Sequence, residues 1–260
     1  MYDWPDVYAH NDAIWDFVRA QLADQGIPAP LKLDRGLRYS QPWRRPDLLL
    51  AQTCGFPFAT ELRGQVQLVA TPCYSAPGCD GTNYSSMIIA SRASGITSLA
   101  DLGGATASIN SEHSQSGHWA LREALALTPG AATPKRAVLS GGHLASLTLL
   151  ANGDADVAAI DAVCWALALR YEPSAVAKVR VIAQSPMAPG LPLITSLATP
   201  VSTLEALREA LQAVIAAPHL AGAREALFLT AIEVLPETAY ERILDLKRLA
   251  DAMPFPALGA

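Results

Sequence analysis

The sequence predicts an α/β protein of two lobes, in which strands alternate with helices. Short apolar runs recur between segments that have the 3.6-residue spacing of amphipathic helices. Alternation of this kind is typical of parallel sheets built from βαβ units. The chain has 260 residues, 51% of them hydrophobic, and this length fits one large domain or two lobes of about 100 to 150 residues each.

The predicted elements follow in chain order. A first helix at residues 6–23 carries four apolar residues on one face: Val7, Ile14, Val18 and Leu22. Buried strands are predicted at residues 47–51, 66–70, 86–91, 105–109, 136–139, 156–160 and 179–183. Helices are predicted after Ser98, from near Ser116, over 143–152, after Asp161, and over most of 202–252.

Composition and charge exclude several classes of protein. With 19 basic and 24 acidic residues the net charge is −5 and the pI is about 5.5, which argues against nucleic-acid binding. The apolar content excludes a disordered chain. The mean hydropathy is +0.21, but no apolar run approaches the roughly 18 to 20 residues of a spanning helix. We therefore expect a soluble protein with no membrane insertion.

The N-terminus and the cysteines bear on the compartment. The opening residues have neither the basic nor the apolar region of a signal peptide, so we expect a cytoplasmic protein or a mature chain whose leader was removed. The four cysteines show no zinc-ligand spacing, and no metal or cofactor is predicted. Cys54 and Cys79 lie beside Gly and Pro at loop ends, which suits a bridge, whereas Cys164 lies in an apolar helix. Four free thiols that pack as small hydrophobic groups are the alternative.

The polar loops that follow the predicted strands are the candidate binding region, because parallel sheets bind ligands at the carboxyl ends of their strands. The richest loop is 111–118, in which a strand leads through a Ser- and Gly-containing turn into a helix. Free N–H groups and the dipole at a helix start favour anions, and Ser114 and Ser116 add neutral donors. Ordinary N-capping by a serine is the alternative interpretation.

Two further residues begin helices after predicted strands. His143 follows Ser140-Gly141-Gly142, and a helix N-terminus favours its neutral form, which has one donor and one acceptor. Asp161 is expected to cap its helix. As a carboxylate it would also select protonated ligands over fully ionised ones. A structural histidine and a plain N-cap are the alternatives.

A Cys-His hydrolase is a remote alternative. Cys54 and His143 would serve as nucleophile and base, with Asp161 orienting the base. The sequence has no local signature for this chemistry.

The ordered set of loops resembles the phosphonate/phosphite/phosphate substrate-binding proteins of ABC importers, which have the type II periplasmic binding protein fold. The resemblance covers nearly the whole chain. It is carried by these segments: Met1-Tyr2-Asp3, Asn11-Asp12, Trp15, Asp47-Leu48, Gln52-Thr53-Cys54-Gly55, Gly78-Cys79, Tyr84, Ser86, Ser114-Gln115-Ser116-Gly117, Ser140-Gly141-Gly142-His143, Ala145-Ser146, residues 155–161 and residues 189–195.

This resemblance implies a Venus-flytrap architecture of mainly parallel sheets. One lobe would hold residues 1–91 and 186–260, the other residues 92–185, with hinge strands near 86–91 and 179–184. A small phosphorus oxyanion would bind in an interlobe cleft. The implied ligand contacts are Ser114, Gln115, Ser116, His143 and Asp161, with weaker matches at Tyr74 and Gln52. A bridge between Cys54 and Cys79 is also implied.

The implied function is non-enzymatic capture of the oxyanion by a periplasmic monomer that delivers it to an ABC permease. Gln115 departs from the Thr that is usual in the family, and this difference bears on the size and type of the ligand. The same fold binding a carboxylate, sulfonate or pyrimidine-like compound is an alternative. Because no leader is seen, a cytoplasmic ligand sensor is another.

Overall fold

The computed structural model describes residues 2–37 and 40–257 and confirms the α/β class, with mixed sheets flanked by helices. The α-helices are α1 Tyr8–Asp24, α2 Gly55–Ala59, α3 Ala120–Leu127, α4 His143–Asn152, α5 Ala162–Tyr171, α6 Pro173–Val176, α7 Val201–Ala216, α8 Ala221–Ala226 and α9 Glu241–Asp251. The strands are β1 Ala51–Gln52, β2 Val66–Tyr74, β3 Cys79–Asp80, β4 Asn83–Tyr84, β5 Ser86–Ser91, β6 Thr106–Ile109, β7 Arg136–Leu139, β8 Val157–Asp161, β9 Val179–Gln184, β10 Ala188–Pro189, β11 Leu193–Ser196 and β12 Leu229–Glu233.

The chain divides into two compact units. The first consists of Met1–Ser75, Asp80–Thr82 and Gly190–Tyr240. The second consists of Ala76–Cys79, Asn83–Pro189 and Glu241–Ala260.

The first unit is built on a sheet with strand order β1-β11-β2-β12, in which neighbouring strands run antiparallel. Helices α1 and α7 pack together and bury Val18, Leu22 and Leu207 against β2. The Arg208 guanidinium donates to the backbone carbonyls of Leu68 and Val69 at 2.9 and 3.0 Å, which ties α7 to the sheet.

The second unit is built on a sheet with strand order β7-β6-β8-β5-β9. Strand β6 is parallel to β7 and β8, whereas β5 is antiparallel to β8 and β9. Ile88, Leu121 and Val157 lie in its core. The carboxyl ends of β6, β7 and β8 therefore meet at one edge of the sheet, where the polar loops begin.

The sheets contain fewer parallel pairs than the sequence predicted. Only β7-β6-β8 are parallel within the described residues; the other paired strands in the two main sheets are antiparallel. An apolar run indicates that a strand is buried on both faces, but it does not indicate the direction of the neighbouring strand.

The two units also differ from the predicted division at 91/92 and 185/186. Residues 83–91 belong to the second unit, because β5 lies between β8 and β9. Residues 241–260 belong to it as well, since α9 packs on α3 and the Arg122 guanidinium donates to the Ala250 carbonyl at 3.3 Å. Strands β5 and β9 form as predicted; their role as a hinge stays a prediction.

Within the described residues no helix combines the length and apolar character required to cross a membrane.

Candidate functional site

The predicted anion turn begins with Ser114 and continues into a π-helix, Gln115–Trp119, that runs directly into α3. Ser114 caps this helix: its Oγ accepts from the Gly117 amide at 3.0 Å. The Ser114 carbonyl accepts from the amides of His118 and Trp119 at 3.2 and 3.1 Å. The Ser116 amide lies in the first turn, where a helix offers no acceptor within itself. Anion binding at this point is chemically favourable.

Gly117 allows the turn to pack closely on the strand that precedes it. A Cβ at this position would lie 2.3 Å from the Asn110 Cγ, which no real contact allows. The His118 Nδ1 and the Trp119 Nε1 each donate to the Glu112 carbonyl, at 2.9 and 3.1 Å. The close packing at Gly117 and the two bonds to the Glu112 carbonyl therefore fix the conformation of the turn.

The structure brings Ser116 and His143 into direct contact. The Ser116 Oγ lies 2.8 Å from the His143 Nε2. His143 is the first residue of α4 and follows Gly141, whose φ of +89° is a conformation that favours glycine. The turn after β6 and the start of α4 thus supply one continuous set of polar groups.

His143 is neutral near pH 7. Burial lowers the pKa of His143 to about 4, and the backbone of Ala159 offsets this effect only in part. The sequence predicted neutrality from the helix dipole; in the structure burial is the main cause. The tautomer sets the direction of the Ser116 contact. A proton on Nε2 makes the ring the donor and leaves the serine hydroxyl hydrogen available to a ligand, whereas a proton on Nδ1 makes Nε2 the acceptor of that hydrogen.

Asp161 has the N-cap role that the sequence predicted. Asp161 is 1% exposed, and its Oδ1 accepts from the amides of Val163 and Cys164 at 2.8 and 3.0 Å. Asp161 lies opposite Ser86 in the β8–β5 ladder. Its carboxylate is an acceptor, which suits a ligand that carries a hydrogen.

The only candidate metal-binding group among the described residues combines His143, Asp161 and Cys164. One ligand atom from each lies within 4.8 Å of the others. Burial and the Asp161 charge raise the pKa of the Cys164 thiol well above its usual value. A metal ion at this point would have to displace the proton of this thiol.

A network of buried serine hydroxyls lies next to the start of α4. The Ser146 Oγ, which is inaccessible to solvent, lies 3.0 Å from the Ser108 Oγ and 2.7 Å from the Ser140 Oγ, and donates to the Asn110 Oδ1 at 3.2 Å. The network links the ends of β6 and β7 to α4. Sequence reasoning assigned no role to Asn110 or Ser146; the signal was their small polar side chains at strand ends and at the start of a helix.

The Gln115 side chain points to a partner that the sequence did not predict. Its Nε2 donates to the Glu123 Oε1 at 2.9 Å, and each residue is only 1% exposed. In this structure the Gln115 carboxamide is thus engaged within the protein.

Gln52 and Tyr74 lie together in the first unit. The Gln52 Nε2 contacts the Tyr74 Oη at 3.4 Å and donates to the Leu191 carbonyl at 3.3 Å. The Tyr74 ring makes an edge contact with Tyr2 at 5.1 Å between centroids.

The bridge between Cys54 and Cys79 is not formed in the structure. No disulfide bond joins any of the four cysteines in the described part of the chain. Cys54 is buried in the first unit, where it directly precedes α2, whereas Cys79 belongs to the second. The Cys164 thiol is buried, as the sequence predicted.

One protein-family model matches this chain. The model of the periplasmic substrate-binding proteins of phosphonate ABC transporters matches residues 45–237, which is most of the chain. The chain belongs to this family. Members of the phosphonate-binding family bind a substrate for transport. The matched span includes the predicted contacts from Gln52 to Asp161.

Solved structures with the same fold cover nearly the whole chain of this substrate-binding protein. XAC2383 from Xanthomonas citri, bound to chloride ion, is 18% identical, with 97% of each chain covered and a TM-score of 0.69. A binding protein component of an ABC phosphonate transporter from Pseudomonas aeruginosa is 21% identical, with 92% of this chain and 81% of that chain covered and a TM-score of 0.70. PhnD1 from Prochlorococcus marinus in complex with methylphosphonate is 14% identical, with 95% of each chain covered and a TM-score of 0.69.

These similarities establish the type II periplasmic binding protein fold. A search of curated proteins finds no match.

Proposed function

We propose that this protein captures a small phosphorus oxyanion (a phosphonate, phosphite or phosphate) for an ABC importer. The observation that carries the proposal is the 2.8 Å contact between Ser116 and His143 at the start of the π-helix. It combines a hydroxyl, a neutral imidazole and a helix N-terminus on one side of a potential anion site.

The site offers neutral donors rather than a cationic clamp. The segment from Asn110 to Gly117 contains no Lys or Arg. Ser114, Ser116 and the Ser116 amide are proposed to donate to the ligand oxygens. Hydrogen bonds to a charged ligand contribute about 1.5 to 3 kcal/mol each. A few of them, on a turn already held by the Ser114 cap and the Glu112 carbonyl, are sufficient for tight binding.

Asp161 is proposed to accept from a protonated ligand oxygen. Near neutral pH a monoanionic phosphonate carries one such oxygen, whereas a fully ionised one places charge next to the carboxylate. The side chain of Gln115 is not part of this contact set, because it bonds to Glu123. Gln52 and Tyr74 stay predicted ligand contacts of the first unit.

The remaining parts of the function are also proposals. The partner is an ABC permease, the location is the periplasm, and the protein acts as a monomer without catalysing a reaction. Family membership supports the first two; size-exclusion chromatography with light scattering tests the third.

Calorimetric titration tests the proposed ligand class. Methylphosphonate, phosphite and phosphate are titrated into the wild type, with methanesulfonate and acetate as comparison anions. At least one phosphorus oxyanion should bind much more tightly than either comparison anion. Preferential binding of the sulfonate or the carboxylate would contradict the ligand class, and binding of none of the five would contradict the proposed function.

Substitution tests the proposed site. Ser116→Ala removes a donor to the charged ligand, and His143→Ala removes the group that orients that donor, so each should weaken binding by about 10- to 100-fold. Thr148→Ala is the control: Thr148 is exposed on α4 and its hydroxyl donates to the Leu144 carbonyl. Equal affinity of all three variants and the wild type would place the ligand elsewhere.

A further inference from the structure

Glu123 is a buried carboxylate that the contacts proposed for the ligand do not use. It lies in α3, eight residues after Gln115, and is 1% exposed. One oxygen accepts from the Gln115 Nε2 at 2.9 Å. The other, Oε2, has no hydrogen-bond partner among the described residues. A buried carboxylate with one unbonded oxygen is unusual, because its charge is costly to bury.

No cation forms an ion pair with Glu123 in the described part of the chain. The elements packed on α3 include the π-helix, α9, β5 and β8. His118 lies in the π-helix, and burial lowers its pKa, which favours its neutral form. Strand β8 ends in Asp161, and β5 carries no charged residue. Arg242 of α9 acts on Glu123 only through its charge.

Most of the other charged groups on α3 and α9 form ion pairs with one another. On α3 itself, the Arg122 guanidinium lies 4.4 Å from the centre of the Trp119 ring and 3.4 Å from the Asp251 carboxylate. Lys247 of α9 also pairs with Asp251. Asp245 and Arg248, which also lie on α9, form a further ion pair.

Glu123 therefore changes its protonation state near neutral pH. Burial raises the pKa of Glu123 to about 7, and the bond from Gln115 and the charge of Arg242 lower it only in part. The ionised form is stabilised by a single short side-chain contact, and that contact belongs to the middle residue of the Ser114-Gln115-Ser116 turn.

We propose that Glu123 is a positioning residue that makes anion affinity at the Ser114–Ser116 turn depend on its own protonation state. This inference rests on the proposed function. The ionised carboxylate keeps the Gln115 carboxamide bonded within the protein. It also places a negative charge close to the turn. That charge opposes a second negative charge at the helix start. Protonation removes the charge, so the neutral form of the protein binds the anion more tightly.

Linkage makes the effect reciprocal. If the protonated form binds the anion better, then anion binding raises the proton affinity of Glu123 by the same factor. Binding near pH 7 should consequently take up a fraction of a proton that is assigned to Glu123, beyond any proton exchanged by the ligand.

Glu123→Gln provides the direct test. Glutamine is uncharged at every pH and keeps an acceptor for the Gln115 Nε2. The dissociation constant of methylphosphonate is measured by calorimetry from pH 6 to pH 8 for both proteins, so that titration of the ligand cancels in their ratio. At pH 8 the variant should bind about 5-fold more tightly than the wild type, and at pH 6 the two should be nearly equal.

Glu205→Gln is the matched control, since Glu205 is exposed on α7 and takes no part in the site. It should follow the wild type at every pH, because solvent screens its charge. A second variant, Gln115→Ala, removes the bond that favours the ionised form. It should move the midpoint of the pH profile to a higher pH, which a purely structural role would not do.

The outcomes separate this inference from the proposed function. Binding of the oxyanion with parallel pH profiles for wild type and Glu123→Gln would overturn the role of Glu123 alone. Should Glu123→Gln not fold, an unchanged midpoint in Gln115→Ala would overturn it. Absence of oxyanion binding by the wild type would overturn both proposals.

Discussion

At the residue scale, the residues with local roles were the most predictable. Asp161 follows an apolar run and precedes a helix, and this order alone predicted the cap that its two amide bonds confirm. Glu123 could not be predicted in the same way. Its partner lies eight residues earlier in the chain, and nothing within α3 itself distinguishes a buried glutamate from an exposed one.

His143 should make the folded state less stable in acid. Its pKa is about 4 in the folded protein and 6.5 in its ordinary state. Between these values the unfolded chain binds a proton that the folded chain does not, so stability falls as the pH drops from 6.5 to 4. The loss should be about 1 to 3 kcal/mol.

Urea denaturation at pH 7.5 and pH 4.5 measures this loss. His143→Asn should show a smaller decrease in the free energy of unfolding than the wild type. The exposed His113 provides the control, because His113→Asn should keep the wild-type decrease. An identical decrease in all three proteins would show that His143 is not the group responsible.

At the element scale, strands and helices with strong apolar patterns were predicted well. The predicted bounds of β5, β7 and α4 match the structure. The π-helix was not predicted, because its geometry depends on the close contact between Gly117 and Asn110. Strand β12 interrupts a region predicted to be mostly helical, and it is held by pairing with the distant β2.

Gly117→Ala tests the role of this close contact in the π-helix. The added methyl group would overlap the Asn110 side chain, so the turn must shift. We expect a loss of about 1 to 3 kcal/mol in the free energy of unfolding, together with weaker anion binding. Urea denaturation and calorimetry measure the two effects.

Gly222→Ala is the matched control for the same substitution. Gly222 lies in α8, and an added Cβ would meet no atom within 4 Å. Alanine should leave stability unchanged or raise it by up to about 1 kcal/mol. Equal effects at both glycines would contradict a specific contact at Gly117.

At the scale of the whole molecule, the sequence predicted the fold class and the presence of two units, but not their bounds. The alternation of apolar runs with helical segments predicted the fold class, and the length together with the family resemblance predicted two units. The assignment of α9 to the second unit depends on packing between α3 and a helix more than 100 residues later, which a local pattern does not encode. The net charge of −5 is compatible with anion binding because the donors at the turn are neutral.

The central claim is that a phosphorus oxyanion binds at the turn formed by Ser114, Gln115, Ser116 and Gly117 beside His143. The most direct test is an NMR titration of the isotope-labelled protein with methylphosphonate. The account predicts saturable shifts that are largest at the Ser116 and Gly117 amides and at the His143 ring, and that are lost in Ser116→Ala. Saturable shifts that leave these resonances unchanged, or no shifts with methylphosphonate, phosphite or phosphate, would contradict it.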